Sequence, residues 1–392
     1  MEALQVWSTE PLTNRSWRYM APVLCAAPDA FLLSLAHGVS WWLHSVAKIF
    51  EGHEVLFLNL CHRILELGHQ DSVGGGEGEV VTRAINHPVG LVTEALLRWW
   101  YRRSPEDGQG LPEDLKPIFS ALCDTEINKF RHGRVLLAAH VIALFRVDSD
   151  WATLHLLPLF NWQHAANDTC AVWEGFLWSP QLYRPLIAAL RRPFLETAGH
   201  YAALGEHGRQ YATLLTLAGL DRGDTFSVAE LRDATRAMPI EGLHDAAQTL
   251  VQTLESAGDQ RADYWKNRVL PYLRSIWPNS RDSVSLAVSE SLAHLCIAAQ
   301  QAFPEALSTL QPWLQPIQYP DYVVRRLDER KLCAQFPDAA LRFLNIIIGT
   351  QTLWPPTNLK DCLDDIRDAM PHIIDDSHFR WLSDYLRIHD PT

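Results

Sequence analysis

The run Arg98-Trp99-Trp100-Tyr101-Arg102-Arg103 brings three guanidinium groups and three aromatic rings into six consecutive positions. A groove for single-stranded nucleic acid uses that mixture, setting cations on the phosphates and rings against the bases. A packing helix uses it too: the rings enter the core and the arginines complement the negative carboxyl end. The formal charge of −12 favours the second use, because displacing counterions from nucleic acid needs an electropositive face. Arg98, Arg102 and Arg103 are retained as candidate contacts to a protein partner.

Other groups could carry chemistry. His37 and His44 lie two turns apart on one helical face, with Cys61-His62 on the next helix. A metal would need carboxylates to converge with them, and no paired Cys/His spacing accompanies them, so no metal and no cofactor is expected. Asp361, Asp364, Asp365, Asp368, Asp375 and Asp376 form an acidic run. Lys360 and Arg367 interrupt it and no calcium-loop spacing occurs, which points to a solvated face open to a basic partner. Tyr322–Lys331 alternates charge, with Arg325 and Glu329 one turn apart, as a surface helix does. His140, His155, His164, Asp168 and Glu174 crowd one region and would form an enzyme's polar site if the fold gathered them in a pocket. A buried carboxylate–histidine pair in an accessible pocket would favour the enzyme. The phosphate-loop, dinucleotide, zinc-protease and serine-hydrolase signatures are all missing, so a non-catalytic role is expected.

Helices must position these groups. Along Asn86–Arg103, at about 100° per residue, Val89, Val92, Leu96, Trp99 and Trp100 share one side while Leu97 and Tyr101 fall nearly opposite. Glu94, Arg98 and Arg102 leave a narrow polar wedge, so this helix needs neighbours on two sides. Pro88 can open it, with Asn86 as a possible cap. Pro28–Phe50, Val55–Gly68 and Arg261–Trp277 read as further helices, and Val228–Met238 starts under a Ser227–Glu230 capping box. No segment shows a convincing strand period. The expectation is an all-α chain of roughly eighteen to twenty helices, arranged as an irregular, HEAT-like α-solenoid. Phe303-Pro304-Glu305-Ala306-Leu307 returns as Phe336-Pro337-Asp338-Ala339-Ala340-Leu341, and Ala27-Pro28-Asp29-Ala30-Phe31 echoes both. Each is a helix start, with proline in the first turn and an acid beside it. The expected segments are 1–72, 80–222 and 225–392, the first boundary falling in the glycine-rich Asp71–Glu79.

At 392 residues the chain exceeds one ordinary core. Its 15 tryptophans serve as packing wedges, but tryptophan is also enriched where binding energy concentrates. Trp162 and Trp354, in the polar segments NWQH and LWPPT, are the better candidates for contact than tryptophans inside helices. Seven dispersed cysteines suit a reducing compartment, and no signal peptide or membrane-spanning run occurs, so the cytoplasm is expected. The opening MEALQVWSTEPLTNRSW suits a piece of a longer polypeptide or one subunit of an assembly.

The stretches HPVGLVTEALLRWWYRR and CAVWEGFLWSPQL resemble bacterial helical regions that follow sirtuin-like or NTPase domains in anti-phage defence proteins. The resemblance spans roughly Trp17 to Met370. It implies a helical platform that senses a phage component or holds an assembly while an effector domain does the chemistry. The partner would then be a sirtuin-like or NTPase effector, or a phage protein. The chain lacks the nucleotide-binding α/β domain of the full pattern, so no catalytic residue carries over. The leading expectation is a non-catalytic scaffold or sensor that binds protein; the alternatives are an enzyme with a polar site between helices and a nucleic-acid-binding array.

Overall fold

The computed structural model describes residues 10–67, 80–163, 165–221, 223–279, 285–349, 352 and 354–389. These residues form helices, with no strand among them. The helices are shorter and more numerous than expected from sequence. The long helix expected over Pro28–Phe50 is broken at Leu35 (φ −112°, ψ 9°) into Asp29–Ser34 and Ala36–Val46. Arg261–Trp277 is likewise interrupted. A wide π turn over Trp265–Val269 precedes Pro271, and another over Ala152–Leu156 precedes Pro158. Proline removes an N–H and its ring collides with the carbonyl four residues back, and a wider turn relieves both.

The chain divides into two compact units, residues 1–194 and 195–392. The Asp71–Glu79 stretch lies outside the described residues, and the helices on either side of it belong to the first unit. That unit contains α1 (Glu10–Ala26), α2 (Ala36–Val46), α3 (Glu54–Glu66), α4 (Val80–Asn86), α5 (Pro88–Tyr101), α6 (Arg131–Ala139) and α7 (Ala166–Leu177). Helix α5 is its centre, packed by α2, α3, α4 and α6. Val89, Val92, Leu96, Leu97 and Trp100 are buried, and Glu94 and Arg98 form the half-buried wedge. The cap is His87, whose Nδ1 accepts from the Val89 N–H at 3.2 Å, while Asn86 turns back to donate to the Thr82 carbonyl.

The second unit contains α8 (Gly208–Leu220), α9 (Val228–Ala237), α10 (Ile240–Ser256), α11 (Leu270–Ser275), α12 (Leu286–Ala298), α13 (Phe303–Leu310), α14 (Asp321–Glu329), α15 (Pro337–Ile347), α16 (Leu359–Ala369) and α17 (Ser377–His389). Along the series α8, α10, α12, α14, α16, each helix packs on the next. The expected capping box at Ser227 and Glu230 forms. The repeated Phe-Pro starts meet: α13 packs on α15, with Phe303 and Phe336 rings 6.4 Å apart and Phe303 edge-on to Phe343 at 5.5 Å.

Two glycines set the closest approaches in the first unit. A Cβ on Gly90 would lie 1.8 Å from the Ala84 carbonyl oxygen, and one on Gly175 would lie 2.3 Å from that of Val135. Both obstacles are backbone and cannot rotate away. Gly90→Ala and Gly175→Ala are each expected to destabilise the unit by about 1–3 kcal/mol or more, read as a lower urea midpoint by far-UV circular dichroism. Gly199→Ala, where a Cβ meets nothing within 4 Å, is the control.

Candidate functional site

The arginines of the Arg98–Arg103 run are engaged within the first unit. Arg98 reaches Glu94 at 3.5 Å, one turn back. Arg102 donates to the carbonyls of Ala47 (3.1 Å) and Phe50 (2.9 Å), just past the end of α2, and covers the Phe50 ring. Arg103 lies 3.6 Å from the centre of the Trp99 ring and pairs with Asp114 at 3.0 Å. Arg102 ties α5 to the end of α2, and Arg102 and Arg103 are exposed while so engaged. Trp162, also in this unit, is half-buried and has contacts of its own.

The polar wedge of α5 has gained a neighbour that spacing could not reveal. His140, at the end of α6, sits between Glu94 and Tyr101: its Nε2 is 3.1 Å from the Glu94 carboxylate and its Nδ1 is 3.0 Å from the Tyr101 hydroxyl. Burial pushes the Tyr101 phenol up to about 12, so it keeps its proton. Burial also works to raise the Glu94 pKa, but the hydrogen bond from His140 and the charges around it outweigh that, and the carboxyl stays ionised below its usual range. His44 on α2 completes the group; burial, with Arg98 beside it, lowers it to about 4 and keeps it neutral. A carboxylate–histidine pair thus exists, but both imidazole nitrogens are occupied by protein groups.

The other crowded residues do not gather. His155 packs near the Trp151 ring, Asp168 pairs with Arg131 at 3.2 Å, Glu174 accepts from the Cys170 thiol at 3.4 Å, and His164 lies outside the described residues. Among the described residues no three His, Cys, Asp or Glu side chains converge as a metal would require. The acidic run is paired internally: Asp364 with Lys360 and Arg367, Asp365 with Lys331, Asp375 with Arg380. Arg325 approaches Glu329 to 3.8 Å, the expected one-turn pair on α14.

Trp354 stands apart. At 75% exposure it is the most exposed tryptophan among the described residues, and it sits on a loop clamped at both ends. On one side Thr352 donates its hydroxyl to the Ile317 carbonyl (3.3 Å), while the Thr352 carbonyl accepts from Tyr385 (3.0 Å). On the other, Asp321 accepts from both the N–H and the hydroxyl of Thr357, at 2.8 and 2.9 Å, and those bonds hold its carboxyl below the usual range. Residues 317–321 are therefore tied beside residues 352 and 354–357. Pro320 and Pro356 are buried in them and Tyr319 and Trp354 point outward. Tyr322 continues the aromatic surface, half-exposed between His294 and Arg325, whose groups lie 5.1 and 5.0 Å from its ring. Sequence flagged Trp354 from its loop and Tyr322 as the start of a surface helix; Tyr319 went unflagged, although it also sits beside a proline outside any helical pattern.

The chain is 28% identical over 369 residues to the "Uncharacterized protein y4cA" of Sinorhizobium fredii, which covers 90% of this chain and 28% of that protein. It thus spans little more than a quarter of that relative's length. No family model matches the chain, and no solved structure matches it.

His44 in the first unit and His294 in the second, both lowered to about 4 chiefly by burial, set a pH dependence. The unfolded imidazole takes its proton near pH 6.5 and the folded one only near 4, so stability present at neutral pH is lost as pH falls through that window. Urea midpoints are expected to drop between pH 7 and pH 4.5, and to drop less in the His44→Gln, His294→Gln double variant.

Proposed function

We propose that the chain is a non-catalytic helical scaffold or sensor that docks a protein partner on the clamped aromatic loops of its second unit. The observation that carries this reading is the Tyr319–Trp354 surface. Large rings held out by buried prolines and fixed hydrogen bonds lose little conformational freedom on binding, and burying one exposed indole returns on the order of 3 kcal/mol. Tyrosine, tryptophan and arginine are also the residues in which interface energy concentrates. The successive packing of α8, α10, α12, α14 and α16 supports an irregular solenoid, an architecture that offers extended surfaces to partners.

The resemblance to helical regions of defence proteins supplies the class of partner: a sirtuin-like or NTPase effector, or a phage protein. A reducing cytoplasm suits the seven cysteines, which form no disulfide, and no described helix is long and apolar enough to cross a membrane. The Glu94–His140–Tyr101 group is the observation on the side of an enzyme. In its present geometry it serves α5 and α6, because neither imidazole nitrogen is left for a substrate.

Affinity capture of the tagged chain from its host, with and without phage infection, read by native mass spectrometry, tests the reading. A stoichiometric protein partner is expected. Its recovery should fall at least about tenfold with Trp354→Ala, and further with Tyr319→Ala added, while the melting temperature stays unchanged. Equal recovery by wild type and double variant, or a lone monomer carrying a small molecule, would overturn it.

A further inference from the structure

A cavity of about 450 Å³ opens in the second unit where α9 meets the end of α11, and its walls carry Arg232, Arg236, Arg274, Ser275, Trp277 and Asn279. That volume lies within the range of small-molecule sites. Arg232 and Arg236 are one turn apart on the same face of α9, and Arg274 joins them from the last turn of α11. Like charges at this helical spacing repel. No carboxylate lines the cavity among the described residues. Arg274 approaches Glu305 only loosely, at 3.8 Å, and the other oxygen of that carboxylate accepts from Trp265.

The guanidinium groups are only partly engaged. Arg232 donates its Nε to the Ser275 carbonyl at 2.7 Å, which fixes the plane of the group and leaves its two terminal nitrogens without an acceptor among the described residues. Arg236 makes no hydrogen bond or ion pair with any described residue. A helix carboxyl end accounts for one cation at a time, since Arg236 and Arg274 each sit in the last turn of their own helix. It accounts neither for the convergence of three on one cavity nor for Trp277. That indole is 2% exposed, lines the same cavity, and its Nε1–H has no acceptor. A buried donor without a partner is rare enough to call for an explanation.

We infer that this cavity binds a small molecule through its phosphate groups. The polar side chains of the wall are three guanidinium groups, the Ser275 hydroxyl and the Asn279 amide, with the Trp277 indole packed among them, and no side chain there is anionic. Guanidinium forks match phosphate oxygens in pairs, and a phosphate supplies both the charge and the number of acceptors that the wall lacks. The site stands in an otherwise acidic chain, with a formal charge of −12, so it is a local feature. It is independent of the aromatic loops.

Isothermal titration of the full chain with pyrophosphate, at about 0.15 M salt so that exposed charges are screened, tests the assignment. Submillimolar binding is expected, weakened at least tenfold by Arg236→Gln and by Arg274→Gln. Arg236 has no partner to lose, so its replacement should leave the melting temperature of the free protein unchanged. The same titration on Trp277→Phe, which keeps a ring and removes the N–H, should show a smaller but measurable loss. No binding, or binding unaltered by Arg236→Gln, would overturn the site. Citrate binding as tightly as pyrophosphate would overturn the choice of phosphate.

Discussion

A buried indole carries an N–H into the core with its ring, and finding an acceptor for that donor constrains how the helices of this protein can meet. In the first unit Trp17 donates to the Gly52 carbonyl at 3.1 Å, Trp42 to Ser16 at 3.0 Å, Trp151 to Ser120 at 2.8 Å and Trp173 to the Phe160 carbonyl at 3.1 Å. In the second, Trp265 reaches Glu305 and Trp313 the Pro278 carbonyl, both at 3.0 Å. Each bond joins segments distant in sequence. The ring contributes area, which is indifferent to direction, whereas the N–H contributes a direction. Together they fix which face of a helix turns inward and at what height.

Trp277 breaks that pattern at the cavity rich in arginines. The exception carries information because six other buried indoles have found an acceptor. The same logic separates the two groups of aromatic residues. Rings inside helices are fixed by donors and by arginines such as Arg102 and Arg103, whose bonds are satisfied within the fold. Trp354 and Tyr319 are held outward by bonds that belong to their backbone neighbours, Thr352, Asp321 and Thr357, and leave their own rings free of the core. Rigidity of the frame and exposure of the ring therefore coincide at one place.

The polar wedge on α5 shows how packing assigns roles to ionisable groups. Glu94 and Arg98 face a gap in an otherwise apolar cylinder, and His140 and His44 fill it from two other helices. Burial works to raise the carboxylate's pKa; the histidines and arginine around it outweigh that and hold it below the usual range. The outcome is a seam between helices that is neutral at His44 and ionised at Glu94. Neither state follows from either residue by itself.

Local physics made much of the architecture legible in sequence. The apolar cylinder of Pro88–Tyr101, the capping box at Ser227 and the Phe-Pro helix starts at 303 and 336 depend on residues within a turn or two of each other. Trp354 was legible as a loop tryptophan for the same reason. The breaks at Leu35 and before Pro271, the cap at His87, the pairing of His140 with Glu94, and the meeting of Arg232, Arg236 and Arg274 were not. Helix period and capping are set by neighbours along the chain, so sequence by itself determined an all-helical protein and the inward face of its central helix. Which donors, charges and rings come together across tens of residues depends on how helices pack. Only the tertiary structure decided that the arginines of the aromatic run find partners within the fold while those of α9 and α11 face a cavity.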